Sequence, residues 1–156
     1  MSKIPLTSRG AKQLRDELRH LKSERPVISA TISVAREHGD LSENAEYHAA
    51  RERQAFVEGR VGDLENMIRR AEVIDVSKLK GKVVKFGATV RVADEDTDEK
   101  STYQIVGTDE SDINSGLLSI TSPLATALIG KAKGDLVEVS TPGGTKSYEI
   151  ISVKFA

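Results

Sequence analysis

The sequence predicts an α+β chain: a long antiparallel α-helical coiled-coil hairpin, followed by a small, mainly antiparallel β domain with one short helix. Three observations carry that expectation. Apolar residues recur at helical spacing from Ser8 to Asp75. Alternating and β-branched runs replace them afterwards, and Gly, Pro, Asn and Asp clusters separate those runs.

In the first half, Leu14, Leu18, Leu21, Ile28, Ile32 and Ala35 step by four, three, seven, four and three, a heptad-like stripe. The missing step falls at Arg25, followed by Pro26, which removes an amide donor and should bend a continuing helix. Thr7 or Ser8 can cap the start, and His38-Gly39 ends the run. A second run from near Leu41 carries Ala45, Ala49, Phe56, Val57, Leu64, Met67, Ala71 and Ile74, with Gly59 and Gly62 weakening its middle. Each arm is about 30 residues, so at a rise of ~1.5 Å it reaches roughly 45 Å. A turn on the scale of two residues is expected between them.

Beyond Asp75, strands are expected at Thr89–Val92, Ser101–Val106, Leu118–Ile120, Leu136–Val139 and Tyr148–Val153. Pro123 to Gly130 fits one short helix with Ser122 as its cap. The expected division is therefore a hairpin over 1–75, a polar linker over 76–85 and a β domain over 86–156.

Composition narrows the functions. Only 4% of the 156 residues are aromatic, and 23 Lys plus Arg stand against 24 Asp plus Glu. That balance argues against nucleic-acid binding through bulk positive charge. Without Cys there is no disulfide, thiolate nucleophile or zinc-thiolate site. No apolar run approaches the ~20 residues of a membrane span, and Met1 to Gly10 lacks the apolar core of a signal peptide, so a cytoplasmic protein with no membrane partner is expected.

The informative stretch is Arg36 to Tyr47, where Glu37, Asp40, Glu43 and Glu46 oppose one arginine at the end of the hairpin. If the second helix begins here, Asp40 and Glu43 share a face. One reading makes Asp40 a helix cap and Glu43 the other half of a capping box. A second makes the pair a metal site, but Mg²⁺ wants octahedral oxygen ligation, and two carboxylates alone would hold it weakly. A third uses the length of the arm: it delivers the carboxylates into another molecule's metal site, where they complete the coordination of an ion.

The segment from Arg36 to Glu52 (REHGDLSENAEYHAARE) resembles the tip signature of the bacterial Gre transcript-cleavage factors. Further matches are Thr121-Ser122-Pro123-Leu124-Ala125, Ala127 to Lys131, and Thr141-Pro142-Gly143-Gly144, so the resemblance covers nearly the whole chain in order. It implies a factor, not itself an enzyme, that acts on RNA polymerase whose RNA 3′ end has backtracked into the secondary channel. The coiled coil would enter that channel. Its tip acids, Asp40 and Glu43 by position in the motif, would help the polymerase hold a shared Mg²⁺ and activate water, so that the polymerase cleaves its own RNA. No cofactor is expected on the chain alone, and a monomer is expected.

Ser42, Asn44, Glu46 and Tyr47 are the expected tip supports, with Asn44 and Tyr47 equally readable as a helix-start amide and a packing ring; Ser42 stands where some relatives carry a basic residue. Arg9, Lys12, Arg15, Arg19, Lys22, Arg51, Arg53 and Arg60 are candidates for touching RNA, although interleaved acids make a solvated helix face the simpler account. The resemblance also implies that the β half is FKBP-like and docks on the polymerase rim, with Thr121, Ser122 and Pro123 as the docking segment. Two rivals remain: a channel-binding inhibitor that does not promote cleavage, and a prolyl isomerase or chaperone with a helical arm. Asp40 and Glu43 count against the first. Against the second, the β half has only Phe86, Tyr103, Tyr148 and Phe155 to line a proline pocket.

Overall fold

The computed structural model describes residues 3–40 and 44–155. The chain divides into two units, Lys12–Arg70 and Met1–Ala11 with Ala71–Ala156. In the first, α1 (Ser8–Arg36, whose opening turn lies in the second unit) and α2 (Ala45–Arg70) form the hairpin. The expected stripe on α1 is the buried one: Leu14, Leu21, Ile28, Ile32 and Ala35 are all buried, and Leu18 is half-buried. On α2 the buried residues are Ala50, Val57, Val61 and Leu64. Ala50 and Val61 were not in the expected stripe, whereas Ala45, Ala49 and Phe56 from it are exposed. Phe56 lies outside with the Arg53 guanidinium 5.0 Å from its ring centroid, a contact that covers one ring face without burying it.

Helix α1 continues through Pro26. The proline is exposed, so its missing amide bond falls on the outer face, away from the apolar seam. Two-pronged ion pairs cross the hairpin. Arg60 meets Glu17 at 2.8 and 3.0 Å, Arg53 meets Glu24 at 3.0 and 2.7 Å, and Arg25 meets Glu58 at 2.8 Å on both prongs. Glu17, early in α1, meets Arg60 late in α2, and Glu24, further along α1, meets Arg53 earlier in α2, which is the antiparallel arrangement.

The second unit begins with a pairing that local pattern does not reveal. Residues Ile4–Thr7 form β1, which pairs in parallel with β2, Ala71–Ile74, in the register Ile4 to Ala71. Thus α2 stops at Arg70, and the end of the region expected to be helical hairpin is strand. Val73 and Ile74 are β-branched and gain a ladder there, and Pro5 is tolerated because a two-stranded sheet has open edges. The expected polar linker is also built into the unit. Asp75 caps a single 3-10 turn at Val76–Lys78, accepting from the Ser77 amide at 3.1 Å. Val76 is buried, and Val84 sits in the main core.

The remaining strands fall where expected: β3 (Thr89–Asp94), β4 (Lys100–Val106), β5 (Leu117–Ser119), β6 (Leu136–Thr141) and β7 (Gly144–Lys154). Their order is β5-β4-β3-β7-β6, with every pair antiparallel except β4 and β5. Opposite β3 the ladder shifts between Arg91 and Val92, so one β7 residue is extra, as in a bulge. The short helix α3 (Pro123–Leu128) contributes Ala125 and Leu128 to a core with Val90, Val92, Ile105 and Ile150. Tyr103, Tyr148 and Phe155 pack against that same core.

A carboxylate ties the start of this unit to its far loop. Glu110 Oε2 accepts from the backbone amides of Thr7 at 2.8 Å and Gly107 at 3.0 Å, and Oε1 accepts from the Thr7 hydroxyl. The approach is so close that a Cβ on Gly107 would lie 2.1 Å from the Pro5 carbonyl oxygen. Glycine is therefore required there by space.

Candidate functional site

The hairpin tip is built from the two helix ends inward. The last turn of α1 tightens, with the amides of Glu37, His38 and Gly39 donating to the carbonyls of Val34, Ala35 and Arg36 at 3.1, 3.1 and 3.3 Å. Gly39 then takes φ 102°, a conformation that glycine adopts without strain, so His38-Gly39 ends the helix as the sequence implies. Asp40 follows, exposed to solvent.

Helix α2 starts at Ala45, and its cap is Asn44. The Asn44 Oδ1 accepts from the Tyr47 amide at 3.0 Å and its carbonyl accepts from the His48 amide at 3.1 Å. The residue that opens α2 is therefore Asn44 and not Asp40, four residues earlier; α1 ends at Arg36 and α2 begins at Ala45, and the expected two-residue turn and Asp40–Glu43 capping box fall partly on residues outside the described ones. This removes the argument that Asp40 projects from the first turn of α2. Leu41, Ser42 and Glu43 lie outside the described residues.

Asn44 does a second job that an aspartate cannot do. Its Nδ2 donates to the Ala35 carbonyl at 2.6 Å, so one half-buried amide closes the end of α1 and opens α2. An amide carries both a donor and an acceptor, and each is used. Around this latch, the Arg36 guanidinium lies 5.9 Å from the Tyr47 ring centroid, and the Tyr47 and His48 rings meet edge to face at 5.6 Å. Glu46 is exposed and borders an apolar groove with Pro26, Val27, Ala30, Thr31 and Val34.

Along the shaft, acids and bases are paired across the hairpin. Hydrogen bonding to Arg60, Arg53 and Arg25 holds the carboxyls of Glu17, Glu24 and Glu58 below the ordinary glutamate value of 4.5. Of the basic residues considered for RNA contact, Arg53 and Arg60 are therefore engaged across the hairpin. Lys12 and Arg19 meet Asp16 at 2.6 and 3.5 Å, and Lys22 meets Glu65 at 3.7 Å. The solvated, charge-paired face is what these residues build.

Could the tip hold Mg²⁺ by itself? Aspartate oxygen is a suitable hard ligand, yet among the described residues no group of three or more His, Asp or Glu is arranged to hold a metal ion.

In the β unit, Ser122 is the cap of α3, its Oγ accepting from the Ala125 amide at 3.2 Å, with Pro123 at the first helical position. Thr121 and Pro123 are exposed and Ser122 is half-buried. The sequence carries no sign of the Glu110 tie, whose partners are 103 residues apart. For Asn44 the helix-start role is the one the structure shows, and it has a local signal, since Asn is among the strongest cap residues and stands directly before Ala45-Glu46.

Residues 4–73 match the family model "Transcription elongation factor, N-terminal", and residues 79–155 match "Transcription elongation factor, GreA/GreB, C-term". A protein of Maricaulis maris named transcription elongation factor GreA is 61% identical over 156 residues, covering 99% of each chain. One of the same name from Paracoccus denitrificans is 62% identical with the same coverage. A solved structure described as a prokaryotic transcription elongation factor GreA/GreB from Nitrosomonas europaea is 27% identical, covering 98% of this chain and 100% of that one at a TM-score of 0.43.

Proposed function

The chain belongs to the GreA/GreB family of transcription elongation factors, and from that premise we propose that it rescues arrested bacterial RNA polymerase. In this reading the hairpin enters the polymerase secondary channel, and its tip stimulates the polymerase's intrinsic, Mg²⁺-dependent cleavage of the backtracked RNA 3′ end. The chain is not itself the nuclease.

The observation that carries the reading is the division of labour at the tip. Asn44 closes the end of α1 and opens α2, and the exposed Asp40 stands four residues before it, at the end of the arm. When Mg²⁺ is bound, it neutralises phosphate charge and makes a water more acidic. This chain's part is to present carboxylate oxygens, from Asp40 and Glu43, at the end of a stiff arm. The latch fixes where the connection starts and finishes, which limits the conformations the acids must give up on entering the site. Their charge repels RNA phosphate unless a cation lies between, so stimulation depends on metal.

Docking is assigned to the β unit through Thr121, Ser122 and Pro123, two of them exposed. An isomerase role finds no support, because Tyr103, Tyr148 and Phe155 are used as core packing. The test adds purified protein to backtracked polymerase complexes and follows RNA length. Asp40→Asn or Glu43→Gln should reduce the cleavage rate by about 100-fold, the scale for losing a group that tunes a metal site, while binding persists. Unchanged cleavage with binding intact would refute the assignment of the tip acids.

A further inference from the structure

Three hydroxyls meet beside the docking segment. Thr108 Oγ1 lies 2.9 Å from Ser119 Oγ and 3.3 Å from Thr121 Oγ1, and Ser119 Oγ lies 2.9 Å from Thr121 Oγ1. Ser119 Oγ also accepts from the Thr121 backbone amide at 3.3 Å. A hydroxyl has one proton to donate, so a triangle in which each donates once and accepts once uses all three donors. Thr121, the first residue of the docking segment, is thereby held at both its side chain and its backbone.

The far corner of the triangle is itself braced. The Thr108 carbonyl accepts from the Ser111 hydroxyl at 2.8 Å, and the turn that carries Thr108 is closed by Glu110, which accepts from the Gly107 amide at 3.0 Å and from the Thr7 amide at 2.8 Å. On the other side, Ser122 caps α3 and its carbonyl accepts from the Thr126 hydroxyl at 2.9 Å. The segment Thr121–Pro123 is thus suspended between a braced turn and a capped helix.

Hydrogen bonds among exposed hydroxyls add little to folding stability, because water competes for both partners. Their consequence is conformational. We propose that Thr108 and Ser119 are positioning residues that hold Thr121–Pro123 in the geometry engaged by the RNA polymerase surface. This rests on the docking reading given above. Neither residue needs to touch the polymerase; loss of either hydroxyl releases the Thr121 rotamer, and docking must then order it again.

The test titrates full-length protein against backtracked polymerase complexes, reading the half-saturating concentration and the maximal cleavage rate separately. Thr108→Val keeps the side-chain shape and removes the hydroxyl. It should raise the half-saturating concentration about 5-fold, the scale of one lost hydrogen bond, with the maximal rate unchanged. Thr108→Ser should restore it, and Ser119→Ala, an independent corner, should reproduce the defect. Pro123→Arg places a bulky charge in the docking segment itself and should weaken binding more strongly. If Thr108→Val and Ser119→Ala leave half-saturation unchanged while Pro123→Arg weakens it, positioning is overturned and the docking reading stands. If Pro123→Arg also binds normally, the docking reading fails and this proposal falls with it. A fall in maximal rate alone would likewise contradict it.

Discussion

The hairpin and the β unit are held together by different means. The β unit closes a core in which Val90, Ile105, Ala125, Leu128 and Ile150 are wholly removed from solvent, and its strands link residues far apart in the chain. The hairpin has one narrow seam, and ion pairs between exposed and half-buried side chains run beside it. A seam with few apolar residues per turn leaves the arm slender, which suits insertion, and makes each buried side chain in it matter more. It also makes the stability of the arm depend on pH through its paired carboxylates.

The largest expected effect comes from opening that seam. Leu64 is wholly buried on α2, so Leu64→Ala should cost about 3 to 5 kcal/mol, within the range for leucine truncation in a core. Hydrogen exchange resolved by segment should show protection falling along α1 and α2 while β3 and β7 keep theirs. Ile150→Ala should cost about as much and reverse the pattern. If either variant lowers protection equally everywhere, the two regions are one cooperative unit and the contrast fails.

A smaller effect is expected at the latch. Asn44→Ala should cost about 1 to 2 kcal/mol, the scale of a lost cap. Asn44→Asp separates its two jobs: it can still accept from the Tyr47 amide but turns an oxygen toward the Ala35 carbonyl. It should therefore be no better than alanine, although aspartate is a good cap elsewhere. Thermal melts followed by far-ultraviolet circular dichroism measure both. An aspartate variant as stable as the native protein would show that the Ala35 bond contributes nothing.

Smallest are the individual ion pairs. The folded-state values of Glu17, Glu24 and Glu58 lie below the ordinary 4.5, because each carboxylate bonds to an arginine. The unfolded chain then binds more protons across that window, so stability rises with pH there. The contribution is fully present above the ordinary glutamate range and is lost as pH falls through the lowered values. Glu17→Gln should cost less than about 1 kcal/mol at neutral pH, since the pair is solvent-screened, and should flatten the acid limb of the hairpin's pH profile. High salt should mimic it.

How much of this was legible in the sequence follows from the range over which each feature is decided. The α1 stripe and the five-stranded sheet are written in local periodicity, which is why Leu14 to Ala35 and the strands from Thr89 onward fall where expected. The pairing of Ile4–Thr7 with Ala71–Ile74 and the Glu110 tie depend on partners 67 and 103 residues apart, and neither segment announces its partner. On α2 the two glycines blur the period, so the pattern points to Phe56 as core and omits Val61, whereas Val61 is buried and Phe56 exposed. At the tip, Asp40 and Asn44 are both good caps four residues apart. What chooses Asn44 is a donor aimed at the Ala35 carbonyl on the other helix, which no pattern within α2 contains. For the tip acids, spacing alone favours a capping box; arm length opens the reading in which they serve another molecule's metal site, and the resemblance singles it out.

The central claim is that the tip acids complete a metal site in the partner, and the Mg²⁺ dependence of cleavage tests it most directly. Backtracked polymerase complexes are saturated with native protein or with Asp40→Asn, and the cleavage rate is followed as Mg²⁺ is varied. The account predicts that the native factor lowers the Mg²⁺ concentration needed for half-maximal cleavage, and that Asp40→Asn shifts it back up by at least about 10-fold, the lower scale for disturbing a metal site. Identical Mg²⁺ curves for the two proteins, differing only in height or not at all, would contradict it.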